Sequence, residues 1–159
     1  NSPIMFRLYD KFKDLPVEDE KLKVLEEATL YAPYGLNPPQ PWNVVVVKTP
    51  ENVKKLSSLH KVNAPVIFLF FIRRGIMQPN HLTNLVSGVA QAVNLAIQCE
   101  SMGLGCFIDI NPSRDFYNEA FKLSGLPNTT WELSAAAFVG YPERELKVQE
   151  VNVEFIERG

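Results

Sequence analysis

Asn84, Ser87, Gln91, Asn94 and Gln98 recur at intervals of three, four, three and four, the spacing of one narrow stripe on a helix. All five are polar, none is charged, and apolar residues fill nearly every position between them. Such a stripe holds hydrogen-bonding groups without the Lys and Glu of a solvated face. It reads either as a core helix whose amides bond neighbouring loops or as a helix at a subunit interface beside a ligand. Other chemistry-bearing residues are few. His60 and His81 stand too far apart for ligand spacing, so no metal site is expected. Cys99 and Cys106 fall in apolar segments and read as small buried hydrophobes. Asp109 reads as a cap or surface carboxylate, with an active-site role as the alternative. No G-x-G-x-x-G fingerprint for a dinucleotide occurs.

The elements that must position these residues can be read from pattern. At 159 residues with 46% apolar composition, the chain suits one domain around one core, here 1–159. Sixteen basic residues against eighteen acidic ones give a formal charge of −2 and no electrostatic reason to bind nucleic acid or an anionic membrane. The uncharged run from Gly75 to Cys99 is broken by Gln78-Pro79-Asn80-His81 and fails as a membrane span. Two cysteines and no leader pattern suggest a soluble protein of a reducing compartment, the cytoplasm.

A helix is expected from Pro16 to Ala32, and a rigid proline-rich loop from Tyr34 to Pro41. A strand at Val44–Val47 reads as buried on both faces. A short helix from Thr49-Pro50 to Leu59 and a second apolar strand at Pro65–Ile72 follow. The long helix spans about Leu82 to Met102, with Gly103 and Gly105 as stops. Beyond it come a strand at Cys106–Ile110, a helix from Asn111-Pro112-Ser113 to Ser124 with Gly125 as its cap, and a strand at Leu133–Val139. Val151, Val153 and Phe155 alternate and suggest a strand added to an existing sheet edge. Interleaved strands and helices around one sheet make a layered α/β or α+β domain.

Four segments, in order, resemble the FMN-dependent nitroreductase family. Phe12-Lys13-Asp14-Leu15-Pro16-Val17 is similar to its strand-and-turn lead into the first helix. Ala32-Pro33-Tyr34-Gly35-Leu36-Asn37-Pro38-Pro39-Gln40-Pro41-Trp42 is similar to its A-P-S-x-x-N-x-Q-P-W loop. The long helix ending in Met102-Gly103-Leu104-Gly105 and the turn Val139-Gly140-Tyr141-Pro142 complete the set. The resemblance implies a three-layer α/β/α domain of the α+β class with a mostly antiparallel central sheet. It also implies an intertwined homodimer with FMN at the subunit interface, reduced by NADH or NADPH in a ping-pong cycle. Small electrophiles such as nitro compounds or quinones would be the acceptors. The flavin would carry the chemistry, so no side chain is assigned as a catalytic acid or base.

By the same resemblance, Tyr34, Gly35, Asn37 and Gln40 would border the flavin ring. Backbone N–H groups at Ile110 and Asn111 would face its N5 edge, and Arg7 with Arg144 or Lys147 would hold the phosphate. The family's R-x-S-x-R-x-F segment corresponds to Phe6-Arg7-Leu8-Tyr9-Asp10-Lys11-Phe12, where Leu8 replaces the serine and Asp10 a usual cation. A carboxylate there would repel a phosphate. Leu8, Asp10 and Tyr34 favour the alternative that the fold persists as a ligand-binding or regulatory dimer without FMN.

Overall fold

The structure, a computed structural model, describes residues 6–33, 42–74, 78–147, 151–157 and 159, with the side chains of 78–84 left aside. Its centre is β3 (Val66–Arg73), every residue of which is buried through Ile72. Side chains of a strand alternate between faces, so an unbroken apolar run needs cover on both. Ile67, Leu69 and Phe71 enter one core with Val53 and Leu56 of α2 (Pro50–Ser57) and Phe116 and Ala120 of α4 (Arg114–Ser124). Val66, Phe68 and Phe70 enter the other with Leu22 and Leu25 of α1 (Asp19–Ala28) and Leu95 and Cys99 of α3 (Gln78–Ser101). Each fully buried Phe or Leu contributes about 1.5–3 kcal/mol, and β3 alone supplies several.

Around β3 the four-stranded sheet runs β2-β3-β5-β4, with β2 at Trp42–Val47, β4 at Gly105–Asp109 and β5 at Trp131–Gly140. Every pairing is antiparallel. A separate two-stranded ladder joins β1 (Tyr9–Phe12) to β6 (Pro142–Glu145). Helices α1 and α3 cover one face and α2 and α4 the other, the three-layer α+β arrangement expected. Among the described residues no helix is long and apolar enough to cross a membrane.

Several local expectations need correction. The first helix begins at Asp19 rather than Pro16 and finishes in a 3-10 turn at Thr29–Tyr31. Val44–Val46 are only half-buried, because β2 is an edge strand. Tyr141 interrupts pairing for a single residue before β6 begins, a strand that the G-Y-P turn signal conceals. Residues 151–157 pair with no strand of their own chain and leave Val151, Val153 and Phe155 80%, 64% and 86% exposed, so the expected edge strand is a matter for a second subunit rather than a correction. The helix stops fare better. Gly103 and Gly125 take φ values of 73° and 69°, and the Ser113 hydroxyl accepts the Phe116 N–H at the start of α4.

Gly88 sets how closely α3 lies on the sheet. A Cβ there would stand 2.5 Å from Ser134 Oγ and 2.8 Å from Ile72 Cγ2, so only a residue without a side chain fits. The contact is locked by Ser134 Oγ donating to the Leu85 carbonyl at 2.8 Å.

Candidate functional site

The turn between β4 and α4 is built around Asp109. Its Oδ1 accepts the Asn111 N–H at 2.8 Å, and its Oδ2 lies 2.8 Å from His60 Nε2. His60 Nδ1 accepts the Val62 N–H at 3.0 Å, so the ring hydrogen sits on Nε2 and is donated to Asp109. The imidazole packs 4.4 Å from the Phe138 ring and meets Phe107 and Phe116 edge-on. Asp109 is therefore neither a helix cap nor a solvated carboxylate; it ties the α2–β3 loop to the β4–α4 turn. Of the two N–H donors expected there, that of Asn111 is committed to Asp109. Ile110 stands at the tip with its residue 64% exposed.

Of the expected phosphate cations, Arg144 lies on the β1–β6 ladder and Arg7 and Lys147 flank it; within the ladder Lys11 pairs in register with Arg144 and Tyr9 with Glu145. Arg144 donates through Nε and Nη2 to both oxygens of Asp10 at 2.9 and 3.0 Å. This fork holds the Asp10 carboxyl below its usual range, chiefly through the hydrogen bonds from Arg144, and raises Arg144 for the same reason. Lys11 lies 3.3 Å from Glu143, and Arg7 Nε lies 3.9 Å from Glu145. Lys147 is exposed and has no carboxylate within 4 Å among the described residues. Tyr9 anchors the ladder to the sheet. A Cβ on Gly105 would meet its ring at 2.7 Å, and burial, with the Glu100 hydrogen bond second, pushes its phenol pKa up.

Two members of the α3 polar stripe, Ser87 and Gln91, turn inward. Ser87 Oγ accepts from Trp42 Nε1 at 2.9 Å, and the fully buried Gln91 donates to the Thr29 carbonyl at 3.1 Å. Of the described side chains of the stripe, Asn94 and Gln98 remain part-exposed. This favours the core-helix reading over the interface reading for the stripe itself. The outward face instead carries Val86, 67% exposed, with half-buried Val89, Ala90, Val93 and Ile97 following at helical spacing. The 3-10 turn lies against the same helix and leaves Leu30 and Tyr31 exposed.

The structure thus places Ile110 and Asn111 on one turn and Arg144 on the ladder, with Arg7 two residues before its β1 strand and Lys147 two residues past the end of β6. Tyr34, Gly35, Asn37 and Gln40 lie outside the described residues. Sequence reasoning missed the His60–Asp109 pair, because two residues so distant in the chain give no local signal. It weighed His60 only as a metal ligand.

No family profile matches the chain, and no curated protein matches it either. Solved structures do. An FMN-dependent nitroreductase from Clostridium difficile R20291 is 20% identical over 92% of this chain and 89% of its own, with a TM-score of 0.75. A protein from Desulfovibrio desulfuricans, provisionally assigned as a nitroreductase and solved in complex with FMN, is 22% identical over 96% and 94%, at 0.78. The NADPH:FMN oxidoreductase of Vibrio harveyi, solved with NAD+, is 22% identical over 95% and 76%, at 0.74. Agreement of this extent on the same two helix layers and antiparallel sheet identifies the chain as nitroreductase-like in fold.

Proposed function

We propose that this protein is an FMN-dependent oxidoreductase that works as a homodimer. It would take reducing equivalents from NADH or NADPH in a ping-pong cycle and deliver them to a small electrophile such as a nitro compound or quinone. The observation that carries the reading is the fold likeness to proteins described as FMN-dependent nitroreductase and NADPH:FMN oxidoreductase. When bound, the flavin supplies the hydride chemistry, and the chain's work is to hold and screen it.

The described residues offer donors of the right chemistry. The Ile110 N–H, on a turn pinned by Asp109 and His60, would meet a ring edge. Lys147 is an uncommitted cation for the phosphate, and Arg144 keeps N–H groups beyond the two that Asp10 takes. Arg7 adds a third, more loosely paired cation. Tyr34, Gly35, Asn37 and Gln40 would border the ring from the proline-rich loop. The apolar outward face of α3 supports the second subunit, since Val86 to Ile97 otherwise present an uncharged stripe to water. Val151, Val153 and Phe155 would find their sheet edge on that partner.

One observation favours a second reading. The Asp10–Arg144 fork neutralises one of the cations expected at the phosphate, which suits a nitroreductase-fold dimer that has lost FMN and binds another ligand. Titration of the purified protein with FMN, followed by flavin fluorescence and the visible spectrum, separates the two. Micromolar or tighter binding, with bleaching of the flavin band on adding NADH or NADPH, supports the oxidoreductase. Absence of binding up to millimolar FMN refutes it in favour of the second reading.

A further inference from the structure

A cavity of about 640 Å³ opens between the chain leading from β1 into α1 and the flank of α2. None of its lining residues is among the candidate flavin contacts, and its volume lies within the ordinary range for small-molecule sites. Its floor is apolar, made by Val17, Leu22 and Val53, which are 7%, 4% and 9% exposed. Ser57 stands in its wall, 8% exposed, and its buried Oγ has no hydrogen-bond partner. A buried hydroxyl without a partner is costly, and turning this one about its Cα–Cβ bond toward the cavity would let an oxygen on a ligand satisfy it.

The mouth selects charge. Lys48 is already paired with Asp19 at 3.6 Å. Lys13 and Lys54 also line the cavity, and neither has a carboxylate within 4 Å among the described residues. Asp14 is the remaining charged lining residue, so the rim carries one net positive charge. We propose that this cavity binds a small amphipathic monoanion, an aryl or short alkyl carboxylate carrying an ether or hydroxyl oxygen. The body lies against Val17, Leu22 and Val53. Its oxygen accepts the Ser57 hydrogen, and its carboxylate is drawn to Lys13 and Lys54.

The test is amide-detected NMR of the full chain titrated with 4-phenoxybutyrate, with and without FMN. A ligand of this size should saturate at about millimolar or tighter. Shifts are expected at Val53, Ser57 and Ala64. The double variant Lys13→Glu, Lys54→Glu should weaken binding about tenfold or more, and Ser57→Ala about threefold, roughly what one lost hydrogen bond costs. The lysines are exposed, so charge reversal leaves the fold intact, which circular dichroism checks. The amine analogue 4-phenoxybutylamine should bind at least about tenfold more weakly than the acid. Shifts clustered elsewhere, equal binding of amine and acid, or unchanged affinity in the double variant would each overturn the assignment. Displacement of the acid by FMN would overturn it too, by placing the flavin in this cavity. A protein that binds the acid but no flavin would sink the oxidoreductase reading and leave this one standing.

Discussion

His60→Phe is the sharpest single perturbation of the candidate site, because it keeps a ring of similar shape against Phe138 while deleting both hydrogen bonds. Val62 is 4% exposed, and its N–H loses its acceptor at Nδ1. Leaving such a donor unpaired costs about 1–3 kcal/mol. The Asp109 carboxylate, its side chain 20% exposed, loses the Nε2 donor but keeps the Asn111 N–H, which limits that loss to about 1 kcal/mol. The more apolar ring returns a few tenths by area. The net expectation is a loss of about 2–3 kcal/mol. Asp109→Ala alone should cost about 1–2 kcal/mol, since it strands a His60 side chain that is 11% exposed.

Because the two variants remove one shared bond, their double should cost about 1–2 kcal/mol less than the sum. Urea unfolding followed by the fluorescence of Trp42 and Trp131 measures all four corners of the cycle. A His60→Phe protein within about 0.5 kcal/mol of the parent would refute the assigned tautomer and the structural weight given to the pair. The same variants test the site. If the pair holds the turn that presents Ile110, both should bind FMN several-fold more weakly, whereas unchanged affinity would detach the turn from the flavin.

Gly88→Ala should destabilise by about 1–3 kcal/mol despite the helical preference of alanine, because the added methyl overlaps Ser134 and Ile72. Equal or higher stability in urea unfolding would show that α3 can lift from the sheet without loss. Cys99 and Cys106 should resist alkylation in the native state and both react in denaturant, since burial, with the Cys99 contact second, pushes the Cys106 thiol well up. Fast native labelling would contradict the packing. Glu18, hydrogen-bonded first by Tyr141 and then by Lys21, has its carboxyl held below the usual value of 4.5. Its contribution is therefore present above that pH and lost on acidification through the lowered pKa, so Glu18→Gln should differ from the parent at neutral pH and converge with it in acid. Val86→Asp should convert the proposed dimer to a folded monomer in sedimentation; an intact dimer would move the interface off the outer face of α3.

What the sequence revealed followed from local pattern. The unbroken run of Val66 to Ile72 demands two covered faces wherever it sits, and glycines at positive φ stop helices whatever surrounds them. The run of Val44 to Val47 looked the same but belongs to an edge strand, and strand order is a property of the whole sheet. The candidate site depends still more on distant partners. His60 and Asp109 meet through the α2–β3 loop, and Asp10 meets Arg144 only because the two ends of the chain pair as β1 and β6. A carboxylate that reads as a repulsive defect in the amino-terminal segment is, in the ladder, half of a two-pronged ion pair.

The α3 stripe shows the same logic with opposite outcome. Uncharged polar residues at helical spacing suggest a face that avoids bulk water, and Ser87 and Gln91 do so. Whether the face turns to another subunit or into its own chain depends on who supplies the complementary groups. Here the Trp42 indole and the Thr29 carbonyl do so from preceding segments. Once those bonds rotate Ser87 and Gln91 inward, geometry turns Val86, Val89, Val93 and Ile97 outward, since the two stripes lie on different sides of one helix. The demand for a partner is thereby transferred from the polar stripe to the apolar one. One hydrogen bond on each of two successive turns, at the Ser87 hydroxyl and the Gln91 amide, is enough to decide which face a second copy of the chain would have to cover.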